Sequence, residues 1–537
     1  MIQLAPVSAS GARLQHYLSF QTYAGSYAEQ TMPWLWKRAV ALFGDQPAFS
    51  SLDDDSSFSY TEAEQVINQI RSSLVNDGLR PGNRVLIQAP LHIESLLLSW
   101  ACWQNGLVVV PITPDLPINA LSAIIETVQP SLVFTEAGKY PAATGSVPVI
   151  WLDTNLDSKP PTDNRWFANW ATQDLPMADP IACTTDDVAA ILFTSGSSGQ
   201  PKGVPLTHGQ LCRSGRLISE TFGWVKTDRF LAIGNLDSMS GLRNSTSAAV
   251  EVGAAVVIPA PTHRQSGALM SEAVAACQAT VLTASPSLLR QWVQYNRRVA
   301  MNLRSLRLVM STGSPLTTDL RQAFKVAFNC ILVNYYGLTE TAGICLAEYP
   351  DQTQPDIDTI GWPVGCLAQV VDSQRRPVSM GQVGELRIYG ENNLSGSYIS
   401  PSAELPGVNG WLYTGDLAIV NPTGSLTIYG RRSDRIKNAY SEVVYPSEVE
   451  AQLLTHPAVG DATVCSFLRH DTEALAAFLT VKMGYDSSEL IADVSAHLLE
   501  RVGSRKLPAV FRIIDEIPRT TSGKVARQTL LTLLEQE

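Results

Sequence analysis

The stretch AAILFTSGSSGQPKG, Ala189 to Gly203, decides how the rest of the chain is read. Its first half is an unbroken apolar run without polar alternation. Such runs belong to strands buried on both faces, as in parallel sheets covered by helices. The run breaks into glycine, serine and threonine and ends on a lysine. Glycine lets a backbone approach a ligand closely, while hydroxyls, backbone N–H groups and an ammonium suit a polyphosphate. A strand that opens into such a loop is where α/β proteins hold phosphates. A mobile Ser/Gly surface loop is the other reading of the same residues. The stretch is not a Walker A loop: counting from Gly196, Pro201 stands in place of the second glycine, and Gly203 follows Lys202 where Ser or Thr is required.

On either side of this stretch, short branched apolar runs alternate with segments of helical spacing. The runs include RVLIQAP, LVVVPI, SLVFTE, AAVVIPA, LRLVMSTG and CILVNYYG; the helical segments include HIESLLLSWACWQNG and PSLLRQWVQYNRR. That rhythm predicts an α/β fold with buried, largely parallel sheets. From about Ala368 the pattern turns to short alternating strands, GELRIYG and GSLTIYG, which predict a β-rich section. After GRRSDRIK come a helix opening at YPSEVEAQLLTHP, a strand LAAFLTVKM, a long helix and a closing strand AVFRIIDEIP. The expected organisation is a large N-terminal domain, residues 1–432, and a small mobile α+β domain, residues 433–537.

The 537 residues are 45% hydrophobic and carry 39 Lys plus Arg against 50 Asp plus Glu. A net charge of −11 argues against non-specific binding to nucleic acid or anionic membranes. Eight cysteines lie far apart without a CxxC pair, which fits reduced thiols and no zinc site. The first residues, MIQLAPVSASGARLQ, have neither the basic nor the apolar region of a secretory signal, and no apolar run is long enough to span a bilayer. These features predict a cytoplasmic protein without membrane insertion.

Further motifs follow the glycine-rich loop in order: NYYGLTET from Asn334, YTGDLA from Tyr413, GRRSDRIK from Gly430 and PRTTSGK from Pro518. Together they resemble the adenylate-forming superfamily of acyl-CoA ligases, luciferases and adenylation domains of nonribosomal peptide synthetases, along nearly the whole chain. The resemblance implies ATP and Mg²⁺ as cofactors and attack of a carboxylate on the α-phosphate, giving an acyl-adenylate and pyrophosphate. It assigns Thr194, Ser195, Gly196, Ser197, Ser198, Gly199 and Lys202 to the β- and γ-phosphates, Thr339 to the α-phosphate and Glu340 to Mg²⁺. Tyr336, beside Gly337, would stack on adenine, with Gly313 and Ser314 lining the other side. Asp416 and Arg431 would hold the ribose. Lys524 would bridge the carboxylate and the α-phosphate, and Lys437 would face the site in the second half-reaction, after the small domain rotates. Ser433 stands where relatives carry an Asp or Lys hinge residue.

For the acid, the same resemblance points to the segment IGNLDSMSG. Ser238 replaces the His of acyl-CoA ligases, and LDSM is similar to the Phe-Asp-x-Ser stretch of amino-acid-activating domains, whose Asp pairs with the substrate ammonium. Asp237 is the candidate for that contact, and a surface or capping Asp is its other reading. Tyr335 would shorten the side-chain pocket, with Val309, Ser311, Gly343 and Ile344 as further lining, so a small amino acid such as glycine or alanine is expected. NAYSEVVYP, after RIK, lacks the glycines that line the thiol tunnel in relatives, and no carrier segment follows Lys524. The expected acceptor is therefore the phosphopantetheine thiol of a separate carrier protein, with a fatty- or aryl-acid CoA ligase as the alternative. A catalytically silent binding module is disfavoured because Lys202, Glu340, Asp416, Arg431 and Lys524 are all present.

Overall fold

The computed structural model describes residues 30–136, 147–152, 167–173, 175–179, 181–195, 201–260, 262–263, 267–351, 358–393, 398–399, 407–434, 436–437, 443–469, 472–482, 484–485, 490–519 and 525–535. Two large sheets carry the N-terminal part. One is six-stranded, with Val149–Leu152, Leu132–Glu136, Arg84–Gln88, Val108–Ile112, Val188–Ser195 and Pro201–Thr207 in spatial order. Its strands are parallel except the last, which returns antiparallel on Val188–Ser195. Val108–Ile112 is buried at every position, as a strand covered on both faces must be.

The second sheet is nine-stranded and runs from Trp362–Pro363 through Gly343–Ala347, Ile331–Leu338, Leu308–Ser311, Val281–Ala284, Arg229–Leu231, Ala255–Ile258 and Pro47–Ser51 to Ser57–Ser59. Its middle is parallel and its ends are antiparallel. Helices Ile93–Gln104, His208–Thr221 and Met32–Phe43 fill the main core, where Trp36 lies 4.8 Å from Trp100 and Trp100 lies 5.0 Å from Trp103 between ring centroids. A second apolar cluster, around Trp292 and Phe324, covers the other face of the nine-stranded sheet.

The change of pattern near Ala368 is a five-stranded antiparallel sheet containing Leu367–Val371, Gly384–Tyr389, Trp411–Val420 and Leu426–Arg431. Beyond it, helix Pro446–Leu454 and helix Leu490–Val502 pack on a three-stranded sheet of Val459–Arg469, Thr472–Val481 and Val510–Ile513. The fold is therefore mixed α/β, a large N-terminal body followed by a small α+β one. Among the strands that the sequence reading omits, two are long and instructive. Pro201–Thr207 carries two prolines and a glycine, and it is a strand because it pairs with Val188–Ser195; Val459–Arg469 is the long partner of Thr472–Val481. No helix among the described residues is long and apolar enough to cross a membrane.

Candidate active site

The glycine-rich stretch is the tip of a hairpin. Thr194 pairs with Lys202 and Ser195 with Pro201, so the lysine sits on a strand opposite the threonine. Gly196, Ser197, Ser198 and Gly199 lie outside the described residues. The strand bearing Lys202 has an outer partner: the Ile399 N–H donates to the Gly203 carbonyl at 2.8 Å. This seats Tyr398 beside the lysine, whose Nζ is 5.5 Å from the Tyr398 ring centroid. The Tyr398 hydroxyl donates to Glu340 Oε1 at 2.8 Å. Tyr398 thus joins the lysine and the acid that were expected to hold phosphate and metal. No sequence motif marked it, because its place comes from a bridge across the sheet edge.

Glu340 and Thr339 lie on a 3₁₀ turn, Thr339–Thr341, that closes the hairpin between Ile331–Leu338 and Gly343–Ala347. Thr341 fastens this turn: its hydroxyl accepts from the Leu338 N–H and lies 3.0 Å from the Leu338 and Gly343 carbonyls. The crossing leaves no room for side chains. A Cβ on Gly337 would fall 1.4 Å from the Gly343 carbonyl oxygen, and Gly343 itself has φ +107°. The glycines of YYGLTETAG are thus required by the turn that presents Glu340.

At the start of this segment, the Tyr336 hydroxyl donates to Asp416 Oδ2 at 2.5 Å, and Arg431 Nε donates to Asp416 Oδ1 at 2.9 Å. Asp416 and Arg431 face each other across adjacent strands. Burial pushes the Asp416 carboxyl up, against the pull of Arg431 and the Tyr336 hydroxyl. Burial likewise raises the Tyr336 hydroxyl, and neighbouring Asp416 adds to the effect. Burial works against the Arg431 charge, yet Asp416, Tyr336, Asp434 and Glu340 hold the guanidinium more firmly protonated than usual. One electrostatic cluster therefore runs from Asp416 to Glu340. A cleft of about 540 Å³, lined by Ser373, Gly415, Arg431, Arg432 and Ser433, opens beside it. Gly313 follows strand Leu308–Ser311 with φ +89° and open space where a Cβ would point; Ser314 is next to it.

The acid-side candidates divide. Ser238 caps the short helix Met239–Arg243, accepting from the Gly241 N–H at 3.1 Å and donating to the Asn235 carbonyl at 2.9 Å. Asp237 is partly buried in the preceding turn, and burial pushes its carboxyl up to about 6. Tyr335, Ile344 and Met239 belong to the main core, and Gly343 lies against Met239. Val309 does not join them: alternation along Leu308–Ser311 turns it into the opposite cluster with Leu282, Trp292 and Phe324. Ser311 is fully buried. Lys437 is on a short strand paired with Val443–Val444, while its side chain and Lys524 fall outside the description. Sequence reasoning passed over Arg243, which is fully buried and donates from Nη2 to the Tyr335 hydroxyl at 3.1 Å.

A strand-hairpin lysine, a turn-borne glutamate and a buried Tyr–Asp–Arg group, set on two large sheets with a small C-terminal body, define an adenylate-forming ligase. The chain belongs to the AMP-binding enzyme family: the family's pattern matches residues 36–398, and that of the AMP-binding enzyme C-terminal domain matches residues 448–524. It is an ATP-dependent, AMP-forming acid–thiol ligase, and its cofactors are ATP and Mg²⁺. Among curated relatives, it is 29% identical over 496 residues to a sulfoacetate–CoA ligase of Cupriavidus necator, covering 92% of this chain and 96% of that protein. It is 26% identical over 525 residues to a crotonobetaine/carnitine–CoA ligase of Salmonella paratyphi B, covering 93% and 99%. Among solved structures, an anthranilate–CoA ligase in complex with anthranoyl-AMP superposes with a TM-score of 0.84 at 21% identity, over 95% of this chain and 98% of that one.

Proposed function

We propose that this chain joins a carboxylic acid to the thiol of coenzyme A through an acyl-adenylate. The observation that carries the reading is the run Tyr336 to Glu340, which ties the Asp416–Arg431 pair to the Lys202–Tyr398–Glu340 group. In this reading Tyr336 flanks adenine opposite Gly313 and Ser314, while Asp416 and Arg431 meet the ribose. A carboxylate keeps acceptor capacity beyond the two bonds that Asp416 already accepts. Thr194 to Gly199 and Lys202 surround the terminal phosphates, and Thr339 reaches the α-phosphate. A lone glutamate suits Mg²⁺, which takes one or two protein carboxylates and completes its shell with phosphate and water. When bound, the ion neutralises charge on the pyrophosphate leaving group. Tyr398 orients Glu340, so the carboxylate is held before any ion arrives. Lys524 balances the approach of two anions, and residues 433–537 swing about the Arg432–Ser433 junction between the half-reactions.

The choice of coenzyme A over a carrier protein follows the activities of the relatives, which are CoA ligases. The amino-acid reading keeps one observation in its favour: Asp237 is a partly buried carboxylate with no ion pair to a described residue, as a receptor for a substrate ammonium would be.

The test is acid-dependent pyrophosphate release and CoA consumption over a panel of aliphatic, aryl, sulfo- and amino acids. Lys524→Ala and Glu340→Gln serve as inactive controls. Thioester formation with an acid lacking an α-amine, lost in both variants, is the expected result. Exchange restricted to one amino acid and abolished in Asp237→Ala would replace this reading with the amino-acid one.

A further inference from the structure

Arg243 is a buried charge to which the adenylation site described above gives no role. It sits at the C-terminal end of helix Met239–Arg243 and is fully buried. Its described partners are neutral: Nε donates to Asn244 Oδ1 at 2.9 Å, Nη2 donates to the Tyr335 hydroxyl at 3.1 Å, and its guanidinium carbon is 5.4 Å from the Tyr335 ring centroid. Nη1 is buried and has no hydrogen-bond partner among the described residues. No carboxylate among the described residues forms an ion pair with it. An arginine does not escape burial by losing its proton, and a buried charge without a counter-charge is strongly unfavourable. The partnerless nitrogen also has a direction. A Cβ on Gly343 would fall 2.2 Å from Nη1 and 3.2 Å from Met239 Cγ, so the nitrogen rests against the glycine just beyond the turn that carries Glu340.

From this placement we propose that Arg243 is the specificity determinant of the acid pocket and that the substrate carries a second anionic group, carboxylate or sulfonate, a short chain away from the carboxylate that is activated. Nη1 donates to the distal anion, Nη2 stays on the Tyr335 hydroxyl, and Tyr335 closes the pocket behind them. A monoacid leaves the guanidinium uncompensated and brings an alkyl end against it. A diacid supplies the missing charge. The proposal rests on the acid–thiol ligase reading above, which leaves the acid open.

The experiment measures pyrophosphate release and CoA thioester formation separately, on the full chain with ATP and Mg²⁺. Malonate, succinate, glutarate and 3-sulfopropionate are compared with propionate, butyrate and valerate, for wild type, Arg243→Met, Arg243→Lys and Tyr335→Phe. In wild type, at least one of the dianionic acids is expected to exceed its monoanionic counterpart about 100-fold in kcat/KM, the effect of one buried charged hydrogen-bonded contact. Arg243→Met should lose that preference while keeping its affinity for ATP, and Arg243→Lys should regain part of it. A general packing defect would lower every acid alike and would leave the ratio unmoved. The idea is overturned if wild type handles monoanionic acids within a few-fold of the dianionic ones, or if Arg243→Met keeps the discrimination. The wild-type comparison decides even if the methionine variant does not fold. Dianion-dependent pyrophosphate release without CoA consumption would remove the CoA reading and leave the subsite standing; thioesters from monoacids, unchanged in Arg243→Met, would do the reverse.

Discussion

Asp237 shows how far a single residue can be read. Its sequence context resembles a receptor for a substrate amine, and its surroundings give it a measurable signature of a different kind. Burial raises its carboxyl from 3.8 to about 6. Between these values the folded chain holds a proton that the unfolded chain has lost, so this residue's contribution to stability is full below about pH 4 and is lost as pH rises through 6. Asp237→Asn removes the ionisation. It should melt like wild type near pH 4 and be more stable at pH 7.5, by at most about 3 kcal/mol. A melting series across that range checks it, and equal or lower stability of the variant at pH 7.5 would refute the assignment. The motif residues were legible at this scale because their chemistry is local: Lys202, Glu340, Asp416 and Arg431 stand out in their own short contexts. Tyr398 and Arg243 were not. The first matters only through Gly203 and Glu340, and the second only because folding buries it beside Tyr335 and Gly343.

The strand that carries Tyr335 and Tyr336 is held from outside the site. Arg321, on helix Thr318–Ala327, donates from Nη1 and Nη2 to the two carboxylate oxygens of Glu348 at 2.8 Å each, and Glu348 Oε2 also accepts from the Asn334 N–H at 2.7 Å. Both side chains are about as buried as core residues, at 3% and 4% exposure. Burial raises the Glu348 carboxyl, while Arg321 and the Asn334 N–H pull the other way. Arg321→Ala leaves the carboxylate alone in the interior and should cost about 3–5 kcal/mol, while Arg321→Met with Glu348→Leu should recover part of that loss, the remainder of about 1–3 kcal/mol coming from the Asn334 N–H left without its acceptor. Denaturant midpoints of the single and double variants check this; a double variant as damaged as the single one would contradict it. Apolar periodicity revealed the buried parallel strands of the six-stranded sheet and several of the nine-stranded one, since strands covered on both faces write it directly. It missed Pro201–Thr207, where glycine and proline resemble a loop and only pairing with Val188–Ser195 makes a strand. Val309 was misplaced for the opposite reason: one position along a strand reverses the face, and the residues alone do not say which face meets the pocket.

For the whole molecule, the informative contact is Asp461. It lies on strand Val459–Arg469 and accepts from two arginines: Arg290 Nη1 at 3.0 Å, from helix Pro286–Asn296 of the large body, and Arg519 Nη2 at 2.7 Å, at the entrance to PRTTSGK. Arg290 is destabilised by burial, supported by Asp461 and opposed by Arg519, so the aspartate separates two cations that would otherwise repel. The motif order indicated two parts, because each motif belongs to one of them. It did not indicate this seating, which depends on residues from three distant segments. Asp461→Asn keeps the shape and removes the charge, leaving Arg290 and Arg519 facing each other across the boundary. The small body should then leave its seat more often and expose the junction, where Arg431 and Arg432 offer tryptic sites. Cleavage there should accelerate roughly 5-fold, the effect of about 1 kcal/mol on the seating equilibrium. Wild type should respond little to added salt, because the pair is partly buried at 16% and 19% side-chain exposure. Adding Arg290→Ala to the variant removes the repulsion and should bring cleavage back toward the wild-type rate. Equal cleavage in wild type and Asp461→Asn would mean that apolar packing alone seats the small body, and the aspartate would then have no part in how the two halves are held.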